Sequence, residues 1–317
     1  MKSEDSLATV LLVSRLVSEG LQPLKAAEFW RLQSQVGTVS VLLGRSEDQL
    51  VREAGLASDL ARRVVELLGR ATAMAFELEH LEQAGISTVT PSDELYPPRF
   101  LDRLGSKAPP VVHAAGALDL LRRHGLGVVG SRDVDPEGAE IAKAAAGFGA
   151  RMGLSLVSGG ARGVDRLAMG AAYQADGPVV GVLADSLVRT LKIPDVRRAV
   201  YDGKTVMCTP YGPDAPFSAG NAMGRNKLIY AQSLVTFVVA SDLGKGGTWS
   251  GAVEALKDEI GRVGVWRGAG EGPGNAEIEG RGAAAVRSID DLESLLRTEP
   301  PDGTPRVRPT QPSLFTA

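Results

Sequence analysis

Apolar residues along the first quarter of the chain recur at three- and four-residue steps, as in Leu50, Val51, Ala54, Leu56, Leu60, Val64, Val65 and Leu68. That period predicts an all-helical domain over 1–85. Within it, residues 46–68 place two helices on either side of Gly55-Leu56, which fits a helix-hairpin-helix, SAM-like unit. An ordinary helix pair with a glycine turn fits equally, and the absence of basic residues at the hairpin favours it. Residues 86–126 carry turn signals, Tyr96-Pro97-Pro98 and Ala108-Pro109-Pro110 among them, and read as a connector.

From 127 the pattern changes to short apolar runs alternating with amphipathic stretches. Strands are expected at 127–130, 154–158, 179–183, 204–208, 234–239 and 262–266. Helices are expected at 136–152, 164–175, 224–231, 248–258 and near 288–296. Alternation at this spacing predicts an α/β domain over 127–297, with a doubly wound, mainly parallel sheet. Residues 298–317 begin with a run rich in proline and charge and are expected to be a disordered tail.

Composition narrows the classes. With 317 residues, 44% hydrophobic and 23% charged, the chain has material for one large domain and a small one. A net charge of −3 means that any affinity for nucleic acid must come from a local patch. The single cysteine, Cys208, precludes an internal disulfide, and three scattered histidines give no metal-ligand spacing, so neither metal nor cofactor is expected. The N-terminal apolar run is broken by Ser14 and Arg15, which argues against a membrane span and for a cytoplasmic protein.

Four loop motifs follow strands of the expected sheet and converge at one edge. They are Gly130-Ser131-Arg132, then Ser158-Gly159-Gly160-Ala161-Arg162-Gly163, then Gly224-Arg225-Asn226-Lys227, then Lys245-Gly246-Gly247-Thr248. The third and fourth are each expected to open a helix. Glycines let a backbone approach a phosphate, helix N-termini favour anions, and open α/β sheets bind ligands in this crevice. Arg132, Arg162, Arg225, Lys227 and Lys245 bring five cations to it. One such motif is ordinarily a tight turn; four in succession, each with a cation, point to phosphate binding.

Other residues have quieter explanations. Asp165 fits a first-turn carboxylate stabilised by the helix dipole, and Arg225 is either its ion-pair partner or a ligand contact. Asn226 and Thr248 suit caps. No Ser/His/Asp set, HExxH or Walker lysine is present, and Glu254 lies nearly two helical turns beyond Thr248. The inventory suits binding rather than turnover, so no catalytic residue is assigned.

The stretches GVVGSR, LSLVSGGARGVDRLAMGAA, GRNKLIYAQSLVTFVV and KGGTWSGAVEAL, in that order, resemble the DprA/Smf family. The upstream LYPPRF and PPVVHAAG and the downstream PGN and GAAAVRSIDDL extend the likeness over roughly 85–296. The resemblance implies an extended Rossmann-like domain behind an N-terminal helical one. It implies binding to single-stranded DNA, protection of that DNA, cooperation with the RecA recombinase in recombination or DNA uptake, and a homodimer. It also implies that Arg132, Arg162, Arg225 and Lys245 line a pocket for DNA phosphates. A family histidine is replaced by Met169, and the family's Phe-Pro before Arg-Asn is here Ala222-Met223. The alternative is a nucleotide-sensing or nucleotide-hydrolysing protein on the same fold, including a defence-associated paralogue.

The tail ends Gln311-Pro312-Ser313-Leu314-Phe315, which resembles the QxxLF peptide that docks on the bacterial sliding clamp. Gln311 would supply the polar contact and Leu314 with Phe315 the apolar anchor. A tail of no consequence is the alternative.

Overall fold

A computed structural model of the chain describes residues 2–17 and 20–298. The expected tail, with Gln311, Leu314 and Phe315, lies outside the described residues.

Five helices form the N-terminal unit: α1 (Glu4–Val13), α2 (Ala26–Val36), α3 (Glu47–Ala54), α4 (Ser58–Leu68) and α5 (Ala71–Gln83). Their apolar stripes meet in one cluster that includes Leu11, Leu12, Phe29, Leu32, Leu50, Val64, Leu67 and Met74. Gly55 ends α3 in the left-handed conformation, at φ 64°. Three cations around this hairpin pair with carboxylates, Arg45 with Glu53, Arg62 with Glu47 and Arg63 with Glu28, while Arg52 donates to the Asp48 carbonyl. Buried Arg70 donates to the carbonyls of Leu11 and Val17, filling acceptors that α1 and its exit leave open.

The rest of the described chain builds a nine-stranded sheet from β1 (Ser87–Val89), β2 (Val112–Gly116), β3 (Gly125–Val129), β4 (Ser155–Ser158), β5 (Val179–Val182), β6 (Thr205–Thr209), β7 (Val235–Val238), β8 (Arg262–Trp266) and β9 (Ala284–Val286). Spatial order is β1-β2-β6-β5-β4-β3-β7-β8-β9. From β6 to β9 all pairing is parallel, while β2 and β1 add antiparallel strands at one edge. The expected α/β, mainly parallel architecture is therefore present. The stretch 86–126 does more than connect, because it contributes β1, β2 and helix α6 (Pro98–Leu104).

Helices cover both faces. Helices α7 (Pro136–Arg151) and α8 (Val164–Gln174) pack alanines 142, 145, 146, 168 and 172 against Leu126, Val128, Leu156 and Phe237. Then come α9 (Leu187–Thr190) and α10 (Pro194–Tyr201), followed by α11 (Ala219–Gln232) and α12 (Gly246–Lys257). The latter two cover the opposite face, where Leu228, Ile229, Tyr230, Ala252 and Ala255 meet Val129, Val157, Val180 and Val238. Last are α13 (Asn275–Gly280) and α14 (Ile289–Arg297). Small residues on α7 let it sit close to the sheet, giving dense packing without large side chains. No helix of the described residues is long and apolar enough to cross a membrane.

Trp30 of α2 donates its indole N–H to the Ala108 carbonyl at 2.8 Å, and Ser6 donates to Asp93 at 3.0 Å, so the helical unit is fastened to the sheet domain. At the β1–β2 pair, His113 is buried with its Nδ1 3.0 Å from the Thr88 hydroxyl. Burial pushes its imidazole down to about 4, and the nearby Lys2 charge acts in the same direction. The neutral ring is therefore the folded form. As pH falls below the ordinary value of 6.5, the unfolded chain takes up the proton first, and stability drops until the folded group titrates near 4. Full stability from this group is present above about pH 6.5 and up to about 3 kcal/mol is lost on the way to pH 4. Urea midpoints measured at about pH 7 and about pH 4.5 should differ markedly in the wild-type protein. His113→Asn should remove most of that difference, and an unchanged difference would refute the assignment.

Candidate nucleic-acid interface

Strand order reverses between β3 and β7: β4, β5 and β6 follow on one side of β3, and β7, β8 and β9 on the other. The loops leaving β3 and β7 diverge there, and a cavity of about 540 Å³ opens outside the carboxyl ends of the strands. This is the position at which doubly wound sheets take ligands.

Three of the expected motifs sit as read. Gly130-Ser131-Arg132 follows β3, residues 159–163 join β4 to α8, and Lys245 is the N-cap residue of α12. The third does not open a helix. Residues 224–227 lie in the middle of α11, which starts six residues before Arg225, where the Ser218 hydroxyl caps the Asn221 N–H at 2.9 Å. Glycines 220 and 224 hid that start. Position 224 is a glycine because a β-carbon there would crowd the Tyr211 hydroxyl.

The cavity wall includes Gly130, Ser131, Arg132, Ala161, Asp165, Arg225, Asn226, Lys245, Gly246, Gly247 and Thr248. Ser158, Gly159, Gly160, Arg162, Gly163 and Lys227 do not line it. Lys227 turns to Glu254 at 3.3 Å, and exposed Arg162 pairs with Asp133 at 2.8 Å. Of the five expected cations, Arg132, Arg225 and Lys245 therefore face the cavity. Carboxylates are present too. Asp133 is engaged by Arg162, Asp165 by backbone amides, and Asp242 stands exposed at the mouth.

Several polar groups assemble the site and are consumed in doing so. Thr248 donates its hydroxyl to the Gly130 carbonyl at 3.0 Å, tying the first turn of α12 to the end of β3. Asn226 donates to the Gly247 carbonyl at 2.9 Å, holding the same turn to α11. Ser158 donates to the Val128 carbonyl at 2.7 Å. Gly163, at φ 84°, lets the 159–163 loop pass so close to the Ser131 and Arg132 backbone that a side chain has no room. The α12 N-terminus has no side-chain cap, and its first residues line the cavity. Its amides are thus available to an anion.

Arg225 sits deepest. It is 6% exposed, its Nε is buried without a partner, and it makes no hydrogen bond or ion pair with another described residue. Its guanidinium occupies the space where Gly159 would carry a β-carbon. Burial pushes the guanidinium down from its ordinary value, opposed by the Asp165 charge, and a guanidinium stays a cation in a protein. Burial also pushes Asp165 up, while Arg225 and the N–H groups of Ala161 and Gly159 favour its charged form. Asp165 accepts those amides at 3.4 and 3.1 Å, folding the loop around itself. Asp165 and Arg225 attract through the interior but form no direct ion pair, so the reading of Arg225 as the ion-pair partner of Asp165 is not met.

One wall is apolar. Phe217, Ala219, Ala222, Met223 and Ile229 line it, and Arg132 lies over the Phe217 ring at 5.4 Å from its centroid. Sequence reasoning passed over Phe217 and Met223. Their signal was two large apolar residues in a stretch otherwise made of Ala, Gly, Ser, Pro, Asp and Asn, with nothing at either helical or strand period. Both are half exposed.

The seat of Arg225 can be checked by a mutant cycle. Gly159→Ala should destabilise the protein by about 1–3 kcal/mol through overpacking against the guanidinium. In an Arg225→Ala background that cost should largely vanish, because the obstructing group is gone. Equal costs in both backgrounds, measured by urea denaturation, would show that Gly159 does not seat Arg225.

Comparison with known proteins agrees with this architecture. DprA of Bacillus subtilis is 24% identical over 294 residues, which cover 91% of this chain and 95% of that protein. Protein Smf of Escherichia coli is 28% identical over 168 residues, 52% of this chain and 44% of the relative. The structure of DprA from Streptococcus pneumoniae superposes with a TM-score of 0.60 at 22% identity, covering 86% of this chain and 98% of that one. DprA from Helicobacter pylori, whose structure was described for its single-stranded DNA binding mode, gives 0.55 at 23% identity over 67% and 96%. These two share the fold. A model of the DNA recombination-mediator protein A family runs through residues 87–297, spanning every strand of the sheet and all four loop motifs, and the chain is a member of that family.

Proposed function

We propose that the cavity between the ends of β3 and β7 grips the phosphate backbone of single-stranded DNA. In this reading the protein acts by binding, without chemical turnover. It protects the strand and hands it to the RecA recombinase during recombination or DNA uptake, as a homodimer that offers two such cavities. The observation that carries the reading is Arg225, a buried cation with no hydrogen-bond or ion-pair partner among the described residues, beside the open N-terminus of α12. A buried charge left unpaired is costly, and an entering phosphate would relieve it. Arg132 and Lys245, both exposed and neither in an ion pair with a described residue, extend the cationic surface to the mouth. Family membership and the DNA-binding relative support the same conclusion. Glu254, the carboxylate a nucleotide-hydrolysing reading would need, is held by Lys227.

Phosphate contacts carry no sequence information, so affinity should vary little among strands of different sequence. Arg132→Ala and Lys245→Ala should each weaken single-strand binding and reduce the slope of log K against log salt by about 0.7. The measurement is fluorescence anisotropy across a salt series, with duplex DNA and free nucleotides as competitors. Unchanged slopes in both variants would remove these residues from the site. Tight competition by free nucleotides, with no preference for strands, would favour a nucleotide sensor.

The tail peptide is a second element of the proposal. Burying Leu314 and Phe315 on the sliding clamp would yield about 3–6 kcal/mol before ordering costs. Deleting 311–317 should abolish clamp binding and leave single-strand affinity intact. Equal clamp binding by both forms, or none by either, would rule the peptide out.

A further inference from the structure

The cavity accounts for a short piece of a long strand, and a second surface at the same sheet edge has no role in it. Strands β3, β4 and β5 are parallel neighbours, so their exits stand in a row, one strand spacing of about 4.8 Å apart. Arg132 leaves β3. Arg162 and Arg166 follow β4 and are exposed. Beyond β5 the chain turns directly into α9, whose first turn is fastened to the loop after β6: Ser186 and the Val188 N–H both donate to the Pro213 carbonyl. Arg189 and Lys192 therefore stand at the same carboxyl edge as the cavity, two strands along from β3. Helix α10 then runs back along β6 and β2, against which it packs.

The residues presented there are unusual for a solvated helix. Arg189, Lys192, Arg197 and Arg198 are exposed, and none forms an ion pair or a side-chain hydrogen bond with a described residue. Two carboxylates lie among them, Asp195 and Asp202, the latter accepting the Tyr173 hydroxyl. Elsewhere on this acidic chain arginines are commonly paired, as around the N-terminal hairpin. Tyr201 stands 91% exposed at the end of α10, and Ile193 is 44% exposed beside Lys192. Arg197, Arg198 and Tyr201 are spaced by four and three residues and share one helix face. Unpaired cations interleaved with an exposed aromatic ring suit a nucleic-acid backbone with bases that can stack. Packing gives Tyr201 no reason to be apolar there.

We propose that the α9–α10 surface, carrying Arg189, Lys192, Arg197, Arg198 and Tyr201, takes the stretch of single-stranded DNA that leaves the cavity past Arg162 and Arg166. The inference rests on the reading of the cavity as a single-strand site. It makes the binding site longer than the cavity, with a cationic path that follows the sheet edge. The Arg162–Asp133 pair on the way is largely exposed and weak enough to be exchanged for a phosphate.

The test compares oligothymidylates of about six and about thirty nucleotides on the full chain. The wild-type protein should bind the longer strand more tightly and with a steeper salt dependence. A variant with Arg189, Lys192, Arg197 and Arg198 all changed to Ala should bind the short strand as wild type does. On the long strand it should lose about 10- to 100-fold at low salt, with the salt slope reduced by as much as about 2.8. Tyr201→Ala should weaken only the long strand and leave its slope unchanged, whereas Tyr201→Phe should restore it. Wild-type affinity and slope of the quadruple variant on the long strand would overturn the proposal and leave the patch to an acidic protein partner. Equal losses on both lengths would also overturn it, by assigning these residues to the cavity or to folding. No binding of either length by the wild-type protein would overturn the reading of the cavity itself; normal short-strand binding with no gain from length would overturn the path alone.

Discussion

Parallel pairing of β3 with β7, Leu126 against Val235 through Val129 against Val238, places the first and fifth strands of the parallel run side by side. Each of those strands must send its connection to a different face of the sheet, one through α7 and the other through α12. Right-handed crossovers make the two exits diverge. The gap between them cannot be filled by either connection, so it remains as a cavity. Everything at the site then follows from how that gap is edged. Thr248 holds the α12 turn to Gly130, Asn226 holds the same turn to α11, and Gly163 lets the neighbouring loop close over the Ser131 backbone. The rim is rigid because it is stitched by hydrogen bonds among three loops that the sheet alone would leave independent.

Charge at the site is distributed against the balance of the whole chain. Around the N-terminal hairpin and between α11 and α12, several cations are neutralised by carboxylates within reach, as Arg63 is by Glu28 and Lys227 by Glu254. At the cavity the chain does the opposite. It folds Asp165 onto two backbone amides and leaves Arg225 without a direct counter-ion. Glycine at 159 is the geometric condition for this, since only a missing side chain admits the guanidinium. The arrangement costs folding free energy that a fully paired interior would not, and an anion entering the cavity, as proposed, would offset that cost. A site of that kind is prepared for its ligand before the ligand arrives, which lowers the reorganisation needed on binding.

Much of this was legible in the sequence, for identifiable reasons. The strand–glycine–helix transitions at 130, 158 and 245 are local events, and local signals placed them well. Helix α11 was misread at its start because Gly220 and Gly224 look like breaks, whereas the Ser218 cap and the approach of Tyr211 settle the matter through contacts. Strands β1 and β2 were hidden because β2 is antiparallel to β6, some ninety positions away, as in His113 against Thr209. Arg162 and Lys227 looked like ligand contacts by motif, yet Asp133 and Glu254 reach them from other loops. A motif identifies which residues gather at a strand end; it does not say which of them already have partners.

The same distinction orders the surface. A cation's availability to a polyanion depends on whether the fold has already given it a carboxylate, and this differs sharply between parts of one chain. Arg45 and Arg62 carry the same charge as Arg197 and Arg198 and are similarly exposed. The first two lie beside Glu53 and Glu47, so a phosphate must displace a partner and gains little from Coulomb attraction. The second two have no such partner among the described residues, so on the proposed path each counterion they released would add to affinity. On the proposed reading, a protein of net charge −3 would gather several unpaired cations along one sheet edge, so that attraction for a phosphate backbone is local. Orientation of a bound strand then follows from where unpaired cations lie, with no base needing to be read.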